Sequence, residues 1–486
     1  MNRKPGTTMN RRGFLLSAAG VFEASKPGLA LPPASTAQEV SVKLDPTRTL
    51  ATIPPDFMGL GYEISSVARP GLLSATNSVY VQLVRTLGAR GVIRIGGNTA
   101  DYASFSANAA PLSSPENKAG SIVNEAVLRD LGSFLDATGW SLIWALNLGN
   151  GTLENAVAEA KAVAAATRQP LYFEIGNEPD LFPRHQVHRH ADYGYEDYLR
   201  EYRTFRDGLR KAIPHIAFAG PDAAGATDWV TRFAADERKD IKLLTHHYYR
   251  EGQNPTSTAE KLLRTDPKLD PILARLKTAS ESCGVPYRIC ETNSFSGGGK
   301  PGVSDTQTAA LWVLDFMFTL ASAGCAGVNM ETGVNQLGFI SSYSPIEDDE
   351  KGRYWAAPEY YGMLAFAQAG VGRVIGCTAD AGELNLKAYA TQPAEKHVFL
   401  TLINKENSTE ANVIIEPITA LPFRGGSVTR LSAPSLESKS GISLGGVSVS
   451  PGGTWEPAQA EEIHRNGKGL QLRLVPASAA IVTLHP

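Results

Sequence analysis

Between about residues 57 and 370 the chain repeats one unit: a short apolar run rich in β-branched residues, then a longer stretch with helical spacing of its apolar positions. This alternation restricts the fold more than any other feature, because a strand followed by a helix returns the chain to a parallel strand alongside the first. Candidate strands are 58–64, 92–96, 141–148, 171–176, 216–220, 241–246, 287–290 and 327–330. Helical stretches lie between them, among them 123–137, 153–166 and 198–212; the first carries Val127, Leu128, Leu131 and Leu135 on one face. Eight such strands predict a closed (β/α)8 barrel rather than an open doubly wound sheet. The first strand is not followed by the GxGxxG turn that opens a dinucleotide fold.

After about residue 375 short alternating runs take over: 384–390, 398–403, 411–416, 426–431, 470–474 and 480–484. No helix-length pattern interrupts them, which predicts an antiparallel β-sandwich. Val40, Val42 and Leu44 alternate in the same way before the barrel begins. The expected division is therefore residues 1–37 as an export signal, 38–52 as a strand joining the sandwich, 53–372 as the barrel, and 373–486 as the sandwich. The sandwich strands show no exposed aromatic row, so the sandwich is expected to cover one flank of the barrel.

The formal net charge is -3, with no basic excess to neutralise phosphates, which argues against a nucleic-acid binder. Past the first forty residues no apolar run is long enough to cross a bilayer, so no membrane association is expected of the mature chain. Asn10-Arg11-Arg12-Gly13-Phe14-Leu15-Leu16 joins paired arginines to a short apolar stretch, and a proline- and alanine-rich segment follows. That order reads as an export signal of the twin-arginine type, with a mature chain beginning near Gln38 and a periplasmic or extracellular destination. The four cysteines, Cys283, Cys290, Cys325 and Cys377, show no zinc-type spacing, and buried free thiols are expected. His185, His188 and His190 follow no metal-binding pattern either, so neither metal nor cofactor is expected.

Two strand ends carry the chemistry. Leu171-Tyr172-Phe173-Glu174-Ile175-Gly176-Asn177-Glu178-Pro179 runs from the fourth strand into a loop, and Tyr287-Arg288-Ile289-Cys290-Glu291-Thr292-Asn293 repeats the arrangement on the seventh. Groups at the carboxyl ends of barrel strands line the mouth. Two glutamates facing each other there suit glycosidic cleavage, which needs one protonated and one ionised carboxyl. Glu174 shares a strand face with Glu178 but lies about 13 Å deeper, as a buried barrel carboxylate. Glu331, just beyond the eighth strand, is placed to touch ligand, but anchoring of a loop is the expected role.

The Asn177-Glu178-Pro179 motif with Glu291 resembles the large superfamily of retaining glycosidases built on this barrel. Glu291-Thr292-Asn293-Ser294-Phe295-Ser296-Gly297-Gly298-Gly299, followed by Val303-Ser304-Asp305, narrows the resemblance to the β-glucuronidase and heparanase family, glycoside hydrolase family 79 of clan A. Arg94-Ile95-Gly96-Gly97-Asn98 and His246-His247-Tyr248 match it as well, and the likeness runs from about residue 38 onward. It implies hydrolysis of terminal β-linked glucuronic acid by double displacement. Glu178 would be the general acid/base and Glu291 the nucleophile, with carboxyls about 5–5.5 Å apart. It further implies that Asn177 bonds the sugar 2-hydroxyl, that Gly297, Gly298 and Tyr343 hold the sugar carboxylate, that Tyr248 stands beside the nucleophile, and that Arg94 orients Glu291. Asn98, Asp101 and Glu63 are further candidates for sugar hydroxyls, with structural capping an equal reading for Asp101 and Glu63.

One position departs from the family: Ser296 stands where tyrosine commonly precedes the glycines. That leaves open another retaining β-glycosidase, such as a β-glucosidase or an endo-acting enzyme on uronate polymers. A non-catalytic carbohydrate-binding protein is the alternative of a different class. Oligomeric state is not legible.

Overall fold

The computed structural model describes residues 37–114, 120–185, 188–334, 341–417, 423–458, 460–467 and 469–485. All but the last residue of the expected export signal lies outside them. Barrel strands two and three, Val92–Gly96 and Ser141–Leu146, are buried along their whole length. Parallel strands covered on both faces read as unbroken apolar runs for this reason. They join Gly59–Glu63, Leu171–Ile175, Phe218–Ala223, Ile241–Tyr249, Tyr287–Asn293 and Val328–Glu331 in a closed eight-stranded parallel barrel. All eight expected strands are present.

The helices between them start where side chains satisfy the first free amide groups. Asn124 caps Glu125–Thr138 by accepting from Val127 N, and Thr152 caps Leu153–Ala166 by accepting from Asn155 N. Gly139 closes the first of these in the left-handed conformation. Helices Gln307–Ser322 and Pro358–Ala369 are apolar nearly all round, because both the barrel and the carboxyl-terminal β domain press on them. Thr308 Oγ1 donates to Leu436 O at 3.0 Å, and Lys405 Nζ reaches Asp315 Oδ2 at 2.7 Å, so the β domain does cover a flank of the barrel. No helix among the described residues is long and apolar enough to cross a membrane.

The first strand of the chain, Gln38–Ile53, lies between Gly372–Asp380, antiparallel, and Ala411–Ile415, parallel. Val40, Val42 and Leu44 point into a core with Leu400, Val413, Leu472 and Val482. The β domain is mostly antiparallel, but its ten-stranded sheet curls round until the last strand, Ser478–His485, bonds both His397–Asn404 and Gly425–Ser432. The parallel pairing follows from the entry of the first strand from the amino terminus, with no hairpin to set its direction. All four cysteines are free thiols.

Candidate active site

The mouth of the barrel is built around Arg94, which is fully buried in the middle of the second strand. Its guanidinium donates to Glu174 Oε2 at 3.2 Å, Glu291 Oε2 at 2.6 Å, Asp222 Oδ2 at 2.7 Å and Asn177 Oδ1 at 2.8 Å. A buried cation needs partners of this kind, because its hydration is lost. Gly96 leaves the room: a Cβ there would fall 2.5 Å from Arg94 Cζ. Arg94 therefore stands behind the site as the residue that orients Glu291, not as a direct sugar ligand.

Glu291 lies inside the seventh strand, which continues to Asn293, past its expected end. Its other oxygen, Oε1, accepts from the Tyr249 hydroxyl at 3.0 Å. This corrects the expectation for Tyr248, whose hydroxyl donates to Asp266 Oδ2 at 2.7 Å and whose ring stacks on Phe316 outside the barrel. Alternation along the sixth strand decides the matter: His247 and Tyr249 face inward, His246 and Tyr248 outward.

Glu178 follows the fourth strand with φ 48 and ψ 50, a left-handed conformation rare outside glycine. Pro179 keeps it out of the right-handed helix region, and the result is a kink rather than an extended strand end. Asp222, at the end of the fifth strand, has φ 60, and the two kinks are joined by Glu178 N donating to Asp222 O at 3.0 Å. Strained backbone of this kind persists where surrounding contacts over-determine it. The kink brings Glu178 Oε1 to 2.9 Å from His247 Nδ1, while His247 Nε2 lies 2.8 Å from Asp222 Oδ1. A carboxylate oxygen of Glu178, one of Glu291 and a nitrogen of His247 all lie within 4.8 Å of one another.

Burial pushes the Glu178 carboxyl above the usual glutamate range; the nearby charge of Glu291 adds to this and His247 opposes it. For His247 burial disfavours the cation, but Asp222 and Glu291 outweigh it and raise the imidazole well above its ordinary value. Burial would also raise Asp222, yet Arg94 and His247 hold it below the usual carboxylate range. Burial, with Asp222 beside it, pushes Glu174 up to about 8 against the pull of Arg94. Arg94 and His247 thus stabilise Asp222 as a carboxylate, while burial pushes Glu174 and Glu178 toward the neutral acid. His247, Asp222 and Cys290 bring ligand-type atoms together, as do His247, Glu178 and Glu291, but both His247 nitrogens are engaged by acids. Arg94 already supplies the charge a metal would bring.

Asn177 presents its amide at the mouth; Oδ1 is held by Arg94, and Nδ2 donates to Asn98 Oδ1 at 3.5 Å. Asp101 is not open to a sugar. It is buried and accepts from Leu148 N, Gly149 N and Asn177 N, lashing three strand-end loops together. Capping is also what Glu63 does, accepting from Asn98 N at 3.2 Å and Thr99 N at 2.9 Å; burial and then Glu291 push it up to about 7. Asn98 is exposed at the rim.

Gly297, Gly298 and Gly299 have φ of 83, 89 and 78, a run that side-chain-bearing residues rarely adopt. Gly298 O accepts from Ser342 N at 2.5 Å and Tyr343 N at 3.3 Å, and the Tyr343 ring stacks on Tyr249 at 6.2 Å. The N–H groups of Gly297 and Gly298 find no acceptor among the described residues. Sequence reasoning missed Asp222, ending the fifth strand at Gly220. It quoted His247 only as part of the His246-His247-Tyr248 match and put Tyr248 rather than Tyr249 beside the nucleophile, which counting alternate residues along the sixth strand would have corrected.

No protein-family description matches the chain. The β-glucuronidase of Aspergillus niger is 25% identical over 467 residues, covering 88% of this chain and 84% of its own. That of Neurospora crassa is 27% identical over 355 residues, covering 64% and 60%. These relatives bear out the likeness to β-glucuronidases carried by the strand-end motifs. Among solved structures, a 4-O-α-L-rhamnosyl-β-D-glucuronidase from Fusarium oxysporum superposes with a TM-score of 0.73 at 18% identity, covering 91% of this chain and 100% of that one. An α-L-arabinofuranosidase from Thermotoga maritima gives 0.68 at 15%, covering 92% and 99%. At such identities the structures speak for the fold, a barrel with an attached β domain.

Proposed function

We propose that this protein is a retaining glycoside hydrolase that removes terminal β-linked glucuronic acid. The observation that carries the retaining mechanism is the approach of Glu178 and Glu291 oxygens within 4.8 Å. Retaining enzymes hold their carboxyls about 5–5.5 Å apart, whereas inverting enzymes leave about 6.5–9.5 Å for a water. Glu291 attacks the anomeric carbon as Glu178 gives its proton to the departing oxygen, breaking the glycosidic bond. Glu178, now a carboxylate beside His247, takes a proton from water; that water displaces Glu291 from the anomeric carbon and regenerates both groups. Asn177 supplies a donor for the 2-hydroxyl, an interaction that strengthens as positive charge develops on the ring. The N–H groups of Gly297 and Gly298, which find no acceptor among the described residues, suit an anion on C5, with Tyr343 beside them.

The two relatives named β-glucuronidase support glucuronic acid as the sugar. Ser296 favours the second reading, a retaining β-glycosidase of a neutral sugar, because it offers no phenol to a carboxylate. Proton NMR of an aryl β-glucuronide digest tests both: the β-anomer of free glucuronic acid should appear first. First appearance of the α-anomer, or comparable turnover of the matching β-glucoside, would defeat the proposal. A protein that binds sugar without turnover would show neither product. We also infer export by a twin-arginine route, and replacement of Arg11 and Arg12 by lysine should retain the protein in the cytoplasm.

A further inference from the structure

Glu331 is 3% exposed, and neither of its carboxyl oxygens has a hydrogen-bond partner among the described residues. A buried carboxyl without partners is costly, so a native chain that keeps one has a use for it. It ends the eighth strand, two residues after Asn329, whose amide donates to Leu60 O and Val92 O inside the barrel. Strand alternation therefore turns Glu331 inward as well, at the mouth. Gly61 of the first strand makes its place: a Cβ there would stand 2.5 Å from Glu331 Oε2.

The groups that interact electrostatically with it are Glu63 on the first strand, Arg94 on the second, His247 on the sixth, Glu291 on the seventh, and Tyr343 beyond the eighth. Tyr249, stacked on Tyr343, also feels its charge. Tyr343, which interacts with Glu331, is tied by its N–H to Gly298 O, beside the glycine N–H groups that find no acceptor among the described residues.

We propose that Glu331 is a specificity-determining residue that donates, as a neutral acid, a hydrogen bond to the carboxylate of the sugar. This inference rests on the glucuronide reading above and deepens it. Two carboxyls in contact cannot both be ionised, so an anion entering this corner must find Glu331 carrying its proton. Burial, then Glu291 and Glu63, hold that proton on. The donor replaces the phenol that Ser296 lacks, and it discriminates: a neutral sugar offers no charged acceptor for it.

The test compares an aryl β-glucuronide with the matching aryl β-glucoside across pH, in the parent protein and in Glu331→Gln, a neutral isostere that does not titrate. In the parent the glucuronide KM should rise about ten- to a hundredfold toward alkaline pH relative to the glucoside KM. In Glu331→Gln that relative rise should vanish. An unchanged pH course of the ratio in the variant, or equal losses on both substrates, would overturn the assignment. Calorimetry of D-glucuronate binding to the parent, in two buffers of different ionisation enthalpy, needs no variant: proton uptake on the alkaline side is expected, and its absence overturns the proposal. Glucuronide cleavage with a flat ratio removes Glu331 alone, whereas preference for the glucoside at every pH removes the glucuronide reading and this inference together.

Discussion

His247 Nδ1 lies 2.9 Å from Oε1 of Glu178, so the proposed general acid shares a hydrogen bond with an imidazole that neighbouring acids keep positively charged. Glu178 has two tasks, and they pull its proton affinity in opposite directions. Burial keeps it protonated for the first step, and His247 limits that rise so that it can act as a base in the second. His247→Asn removes the limiting charge. The Glu178 pKa should then climb, moving the alkaline limb of the kcat/KM profile to higher pH while kcat falls about tenfold as deglycosylation slows. A pH–rate series settles it, and a limb that moves down would contradict the arrangement.

Tyr249 and Tyr248 offer an internal control, since adjacent tyrosines face opposite sides of one strand. Tyr249→Phe removes the hydroxyl that donates to Glu291 Oε1 and should lower kcat about ten- to a hundredfold with little change in melting temperature. Tyr248→Phe takes the hydroxyl donor from Asp266 Oδ2 outside the barrel and leaves Oδ1 with Lys268 N. It should cost about 1 kcal/mol of stability and leave kcat near the parent value. Reversed outcomes would return the sugar-side role to Tyr248.

The barrel was legible because its strands are buried on both faces and leave unbroken apolar runs, such as Ser141–Leu146. Strand ends were less legible for the same reason. His247 to Tyr249 and Glu291 to Asn293 are polar and fell beyond the expected strand ends, whereas the mouth of a barrel is where strands carry polar side chains inward. Asp222 left no local signal at all. Its role depends on a left-handed turn and on Arg94 and His247, residues remote in sequence that only the closed barrel brings to 2.7 and 2.8 Å. The curl of the β domain was hidden too, because alternation reports which face of a strand is buried but not which neighbour it bonds.

Arg94 should matter to folding as much as to catalysis. Arg94→Met removes the cation shared by Glu174, Asp222 and Glu291 and leaves the buried acids of the cluster with His247 alone to balance them. Stripping one partner from a buried ionic cluster costs about 3–5 kcal/mol. Denaturant unfolding should show a loss of that order with activity abolished, and a variant as stable as the parent would show that the cluster is not held as described.

Glu159 separates stability from catalysis. It lies on helix Leu153–Ala166, is 2% exposed, and accepts a 3.0 Å hydrogen bond from Trp144 Nε1 on the third barrel strand. Burial pushes its carboxyl up to about 7 from an ordinary value near 4.5, with the Trp144 bond opposing. A folded-state pKa above the unfolded one means that the native chain holds a proton the unfolded chain releases. The stability it brings is full below pH about 4.5 and is lost as pH rises through about 7. Over that window Glu159 alone should cost the parent about 3 kcal/mol. Glu159→Gln keeps the acceptor for Trp144 and has no proton to lose. Its melting temperature should therefore fall less steeply than the parent's between pH 5 and 8, with kcat unchanged at every pH. Parallel melting curves across that range would mean that Glu159 is ionised in the folded protein, and the buried neutral acid would have to be abandoned.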